Sequence, residues 1–181
     1  MCGIAGIYSA NKNYNSKIIF KEMLNRINHR GPDDEGEYHD NKINLSFGMK
    51  RLTIVDQEGG VQPMYSPDKR FVLVFNGEIV NSMELRKSLI EKHIRFKSSH
   101  SDTEVLLNLL IHEGVNSIHK LNGMFAFAFY DTHKKTILLA RDRTGIKNLY
   151  FFENENNLFF SSEIKSLYSL GIIDFNINKQ S

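Results

Sequence analysis

MFAFAFY, residues 124–130, followed after Asp131-Thr-His-Lys134 by TILLA, residues 136–140, decides the fold class. The first segment alternates large and small side chains at the two-residue period of a strand, and the second follows at hairpin distance. Residues 150–152 and 158–161 repeat the arrangement as a second hairpin. Strands joined by hairpin-length turns, rather than by regular helical crossovers, pair antiparallel, so the chain reads as α+β.

Upstream, residues 2–8 (CGIAGIY) read as a short apolar strand, and residues 16–28 place Ile19, Met23, Leu24 and Ile27 at helical spacing. HRGPDDEG, residues 29–36, breaks that helix. Strands follow at 43–49 and 51–55, then a loop with two prolines and two glycines. The apolar strand 71–75 (FVLVF) ends at Asn76-Gly77, a strong turn dipeptide. A helix over 81–92 carries Met83, Ser88 and Leu89 near one side. Ser101-Asp-Thr-Glu104 has the form of a capping box opening a helix over 103–112, with Gly114 as its stop. A short helix over 163–170 ends at Gly171. No linker, repeat or low-complexity segment interrupts the pattern, so residues 1–181 read as one domain with an ordered core of about 2–171.

The composition excludes several classes of function. Lys and Arg number 23 against 21 Asp and Glu and are dispersed, so no footprint for nucleic acid appears. The chain shows neither a signal-like start nor an apolar run long enough for a bilayer, which makes a cytoplasmic protein without membrane contact the expectation. One cysteine forbids an intrachain disulfide, and seven scattered histidines without a second cysteine offer no metal cage.

That cysteine is Cys2. Loss of Met1 would give its thiol a base on the same residue: an α-amine near pKa 7.7–8.0 beside a thiol near 8.5 exchanges a proton at almost no cost. Position alone is weak, since any residue can stand second. Asn76-Gly77-Glu78 follows an apolar strand, and an asparagine amide beside a glycine N–H makes an oxyanion hole, or merely a hairpin turn. Arg51, opening an otherwise apolar strand, is either a snorkelling edge residue or a bidentate carboxylate binder. Asp102 suits a helix N-terminus in any case, yet with Arg51 it also matches the two charges of an α-amino acid. Arg141-Asp142 reads as an ion pair or turn anchor before Gly145, and Arg30-Gly-Pro-Asp33 as a rigid loop.

Cys2-Gly-Ile-Ala-Gly-Ile7, His29-Arg-Gly-Pro-Asp33, Arg51-Leu-Thr-Ile-Val-Asp56, Asn76-Gly-Glu-Ile79, Ser101-Asp-Thr-Glu104, Gly123-Met-Phe-Ala-Phe-Ala128 and Arg141-Asp-Arg-Thr-Gly145 occur in that order. Together they resemble the amino-terminal glutaminase domain of glutamine-hydrolysing asparagine synthetases, class II glutamine amidotransferases of the N-terminal-nucleophile hydrolase superfamily. The resemblance runs from residue 2 to about 170. It implies a four-layer α-β-β-α sandwich of two antiparallel sheets. It also implies that Cys2 is the nucleophile with its α-amine as base, and that the Asn76 side chain and Gly77 N–H form the oxyanion hole. Arg51 then holds the glutamine α-carboxylate, Asp102 and Glu78 its ammonium, and backbone near Leu52, Ile54 and Val55 completes the pocket. The chain departs from the family's usual pattern at Val80, where a tyrosine is common, and in lacking a proline between Gly145 and Tyr150.

Such enzymes pass ammonia to a carboxy-terminal domain that activates a carboxylate with ATP. The only double glycine here, Gly59-Gly60, has no serine before it and no Asp-Ser after it. An ATP-dependent synthetase domain is therefore expected as a separate partner or missing segment, and Mg-ATP only there, with no cofactor in this chain. The expected activity is hydrolysis of L-glutamine through a Cys2 thioester. A non-catalytic glutamine-binding or docking module is the alternative, and the same chemistry on a penicillin or bile-salt amide a third, disfavoured by the Arg51 and Asp102 pair.

Overall fold

A computed structural model describes residues 2–10, 14–52, 61–168 and 170–171. Nine strands and four α-helices are present among them: β1 (Gly3–Ser9), α1 (Ser16–Arg26), β2 (Asp34–Asp40), β3 (Leu45–Arg51), β4 (Met64–Tyr65), β5 (Phe71–Ile79), α2 (Ser82–Glu91), α3 (Asp102–Glu113), β6 (Gly123–Asp131), β7 (Thr136–Arg141), β8 (Tyr150–Asn154), β9 (Asn157–Ser161) and α4 (Ile164–Tyr168). The first sheet has the order β2-β3-β1-β9-β8 and the second β4-β5-β6-β7, with every ladder between these strands antiparallel.

Three hydrophobic layers follow from the two-residue period of the strands. Odd residues of β5 and β6 (Leu73, Phe75, Phe125, Phe127, Phe129) pack on Leu85, Leu89 and the apolar face of α3. Even residues (Val72, Val74, Ala126, Ala128, Tyr130) face the first sheet, meeting Ile4, Leu45, Phe47, Met49 and Phe160. On the far side of that sheet Ala5, Ile7 and Phe159 pack on Phe20, Met23, Leu24 and Ile27 of the α1 segment and Leu167 of α4. The order is thus α-β-β-α, four layers of two antiparallel sheets as expected.

The MFAFAFY alternation has a physical reason in this arrangement. Its phenylalanines serve the wide sheet-to-helix layer, while its alanines leave room between the sheets for the Phe47 and Phe160 rings. Gly6 belongs to the same fit: a Cβ there would lie 2.3 Å from the Phe160 ring and 2.7 Å from Phe47 Cβ.

Several sequence expectations need correction. Asn76-Gly77 is no turn: β5 runs on to Ile79 and keeps register with β6 through Ile79 against Gly123. The next strand in sequence lies beyond two helices, so no hairpin forms there. Residues 34–40, of which 34–36 read as part of the helix break and 37–40 carry no expected element, form β2, an edge strand whose mixed charges hide the strand period. Arg51 is the last residue of β3, and residues 53–55 of the strand expected over 51–55 lie outside the described residues. In α2 the buried positions are Leu85, Arg86 and Leu89, and Met83 is exposed. Only half of the capping box forms: Ser101 Oγ accepts from Glu104 N at 3.3 Å, but the Glu104 carboxylate accepts from Lys97 N and Ser98 N instead.

Because Gly6 lies where the two sheets interdigitate, Gly6→Ala is expected to destabilise the protein by about 1–3 kcal/mol through overpacking. Urea unfolding checks this; a midpoint equal to wild type would contradict the close packing assigned to that layer.

Candidate active site

Cys2, Arg51, Leu52, Asn76, Gly77, Glu78 and Asp102 all line one cleft of about 610 Å³. Ile54 and Val55, also expected there, lie outside the described residues. The first sheet brings Cys2 and Arg51 to one end of the sandwich: Cys2 precedes the first residue of β1, Arg51 is the last of β3, and Gly3 pairs with Lys50. The second sheet delivers Asn76, Gly77 and Glu78 on β5, and the start of α3 delivers Asp102.

Cys2 is held from several sides. Its thiol donates to the Leu52 carbonyl at 3.8 Å, and its own carbonyl accepts from Arg30 Nε at 3.0 Å. Arg30 is fixed in turn by Glu163 Oε1 at 3.0 Å, which also meets His29 Nε2 at 2.7 Å. Burial pushes the Glu163 carboxyl up, but hydrogen bonds from Arg30, His29 and Lys165 outweigh it and hold the group at about 2. Immediately downstream, Ile4 N donates to Ser162 Oγ at 2.9 Å and Ile4 O accepts from Ser162 N at 2.8 Å.

Strand parity sets the directions of the Asn76 and Gly77 groups. Phe75 N donates to Gln62 Oε1 at 2.6 Å and Phe75 O accepts from Gln62 Nε2 at 3.1 Å, so the backbone groups of Phe75 face away from β6. Two residues on, those of Gly77 face the same way, and Ile79 N, two further, donates to Asp102 Oδ2 at 3.0 Å. The opposite partner agrees: Phe125, across from Gly77, bonds outward to Asp142 through both its N–H and its C=O. The Gly77 N–H therefore points away from β6, on the edge of β5 where Phe75 and Ile79 make their side-chain bonds, and Gly77 lines the cleft. A Cβ on Gly77 would lie 2.2 Å from Met124 O, so only glycine lets β6 approach this closely.

Asn76 has the opposite parity, and its side chain shares the inter-sheet face with Val72 and Val74. It is 3% exposed, and among the described residues its Nδ2 and Arg86 Nε are the buried side-chain polar atoms without a hydrogen-bond partner. Leaving a buried donor unmade costs about 1–3 kcal/mol, a cost that folding alone gives no reason to keep.

The acidic side of the cleft is Asp102 with the exposed Glu78. Burial pushes the Asp102 carboxyl above the usual carboxylate range, and Glu78 adds to this, against the opposing pull of the Ile79 and Thr103 N–H groups. Arg51 is buried and lies 3.9 Å from the Asp34 carboxylate.

A family model described as the glutamine amidotransferase domain matches residues 1–181. The chain belongs to that family. Glutamine-hydrolysing asparagine synthetase 1 of Bacillus subtilis (strain 168) is 39% identical over 170 residues, covering 92% of this chain and 26% of the relative. Asparagine synthetase 2 of the same organism is 40% identical over 172 residues, 93% of this chain and 22% of the relative. The amidotransferase domain here thus spans about a quarter of the length of these relatives. Among solved structures, glutamine phosphoribosylpyrophosphate amidotransferase from B. subtilis shares the fold, with a TM-score of 0.77 at 22% identity over 94% of this chain and 44% of the other.

Sequence reasoning missed part of what supports this cleft. Arg30, taken only as part of a rigid loop, reaches the Cys2 carbonyl; a charged side chain beside Gly31-Pro32 was the available signal. Glu163, 133 residues away, gave none. Arg86 donates to Ser98 O at 2.7 Å and Ser101 O at 3.0 Å, and Glu104 grips Lys97 N and Ser98 N, so α2 and α3 together fix the loop before Asp102. Asp142, left open between ion pair and turn anchor, anchors the turn: it accepts from Phe125, Ile146 and Lys147 N–H and from Thr144 Oγ1.

A carboxyl whose pKa is raised in the folded state adds stability only below its unfolded value, and loses it as pH rises through the folded value. The ionised Asp102 therefore costs stability at neutral pH. Asp102→Asn, which keeps an acceptor for Ile79 N–H, is expected to raise the unfolding midpoint at pH 7, with the advantage vanishing as pH falls below about 4. Denaturant unfolding at both pH values measures it, and a variant less stable than wild type at pH 7 would refute the desolvation argument.

Proposed function

We propose that this domain hydrolyses L-glutamine to L-glutamate and ammonia through a thioester on Cys2, and supplies the ammonia to an ATP-dependent synthetase domain or subunit. The observation that carries the reading is the buried, unpartnered Asn76 amide beside Gly77 in the cleft that holds Cys2. Two donors converging on one oxygen have a use where a carbonyl becomes an oxyanion.

The α-carboxylate of glutamine meets Arg51, and the α-ammonium meets Asp102 and Glu78. The side-chain amide then reaches Cys2. With Met1 removed, the α-amine takes the thiol proton and Sγ attacks the amide carbon; the carbonyl electron pair moves onto oxygen, held by Asn76 Nδ2 and Gly77 N–H. Collapse of this intermediate breaks the C–N bond, the amine's proton leaves with the nitrogen, and ammonia departs. Water attacks the thioester, losing a proton to the same amine, and the returning proton frees the thiol and glutamate. Arg30, holding the Cys2 carbonyl, fixes the residue that carries both nucleophile and base. The length of the curated relatives, roughly four times that of this chain, supports a synthetase partner, where Mg-ATP would act.

Protein lacking Met1 is expected to release ammonia and glutamate from glutamine, and Cys2→Ala to release neither. Equal release by both would overturn the reading. Asn76→Ala is expected to lower kcat by about 10²–10³. Because burial makes Asp102 protonate at a higher pH than an ordinary carboxylate, KM for glutamine is expected to rise on acidification, and Asp102→Asn to show a high KM without that rise.

A further inference from the structure

We propose that Gln62 is the positioning residue of the oxyanion hole: its side-chain amide takes the ladder position opposite Phe75 on the outer edge of β5 and so fixes the direction of the Gly77 N–H two residues on. The inference rests on the glutaminase reading and deepens it. Met64 faces Leu73 and Tyr65 faces Val72, so the same register sets residue 62 opposite Phe75. At that position a strand backbone would normally complete the pairing. The Gln62 side chain does so instead, accepting from Phe75 N–H at 2.6 Å and donating to Phe75 O at 3.1 Å. Held on this edge at Phe75, the strand keeps its phase two residues on, where the backbone groups of Gly77 point to the same side.

The Gln62 backbone is meanwhile committed elsewhere. A Cβ on Gly36 of β2 would lie 1.8 Å from Gln62 O and 2.8 Å from Pro63 Cδ, so the chain at this point is pressed onto the first sheet. One residue thus touches both sheets at the end where the cleft opens, its main chain against the sheet that carries Cys2 and its side chain on the strand that carries Asn76 and Gly77. It also lines the cleft. A primary amide suits the task because it offers one donor and one acceptor at the spacing of a peptide group.

The test uses the full chain lacking Met1. Gln62→Leu keeps roughly the size and deletes both hydrogen bonds; kcat for glutamine is expected to fall about tenfold or more with KM within about threefold, the signature of a group felt only in the transition state. The aldehyde analogue of glutamine adds the Cys2 thiol across its carbonyl and needs the same oxyanion donors, whereas glutamate needs only the head-group contacts. The variant is expected to bind the aldehyde about tenfold more weakly and glutamate unchanged. Gln62→Glu gives a second measurement: protonated, its O–H donates to Phe75 O, so the wild-type-to-variant ratio of kcat is expected to shrink as pH falls. Unchanged kcat and aldehyde affinity in Gln62→Leu overturn the proposal, as does an equal loss for aldehyde and glutamate, which would mean general loosening. If Gln62→Leu does not fold, the Gln62→Glu ratio decides, and a ratio flat with pH is adverse. Absence of ammonia release by wild type would count against the glutaminase reading, while aldehyde binding, which needs no turnover, still judges Gln62.

Discussion

β1 sits in the middle of the five-stranded sheet, paired to β3 from Gly3 against Lys50 to Tyr8 against Leu45, and to β9 from Ala5 against Ser161 to Ser9 against Asn157. The start of a chain ordinarily frays because nothing ties it down. Here the residue after Cys2 is already laddered, and Ser162 grips Ile4 through both of its backbone groups. Everything proposed for the cleft depends on that anchoring. A nucleophile with its base on the same residue is useful only if its main chain is fixed, because main-chain and side-chain positions then carry equal weight in the chemistry.

The second constraint is the contact between the sheets. Cys2 and Arg51 stand at the end of one sheet and Asn76, Gly77 and Glu78 on the other, so the separation of Cys2 from Asn76 and Gly77 is a packing distance. Phe47 and Phe160 on one side, with Ala126 and Ala128 on the other, set it. Close-packed interiors resist small changes of spacing, which is why such a layer can serve as the frame of a site. The buried Asn76 amide and the desolvated Asp102 are local costs that this frame can carry, and both lie where a ligand would relieve them.

Much of this was legible in the residues. The alternation in MFAFAFY, the helical spacing before residue 28 and the Gly114 stop were visible because local sequence and tertiary role agree there. Cys2, Asn76, Gly77, Arg51 and Asp102 were singled out in the sequence and line one cleft, although each taken alone also had a bland structural reading. What failed was set by distant partners. Asn76-Gly77 has the strongest local preference for a turn, yet its strand is held extended by β6 on one edge and by Gln62 and Asp102 on the other. β2 is written largely in charged residues because several of its side chains form ion pairs, Lys21 with Glu35 and Glu37 among them, while Tyr38 packs against the inter-sheet core. The Arg30–Glu163 link joins two segments that no sequence window contains.

The extension of β5 through Ile79 makes the site a matter of phase. A strand has two phases, and each of its residues is committed to one: Asn76 must point between the sheets while the Gly77 amide points off the edge. Inserting or deleting one residue between Phe71 and Asn76 would exchange them, turning the carboxamide toward α2 and α3 and the glycine amide toward β6. Side-chain substitutions along this strand change the site by degrees, but a single change of length inverts it. The nine residues from Phe71 to Ile79 therefore tolerate variation in kind far better than variation in number.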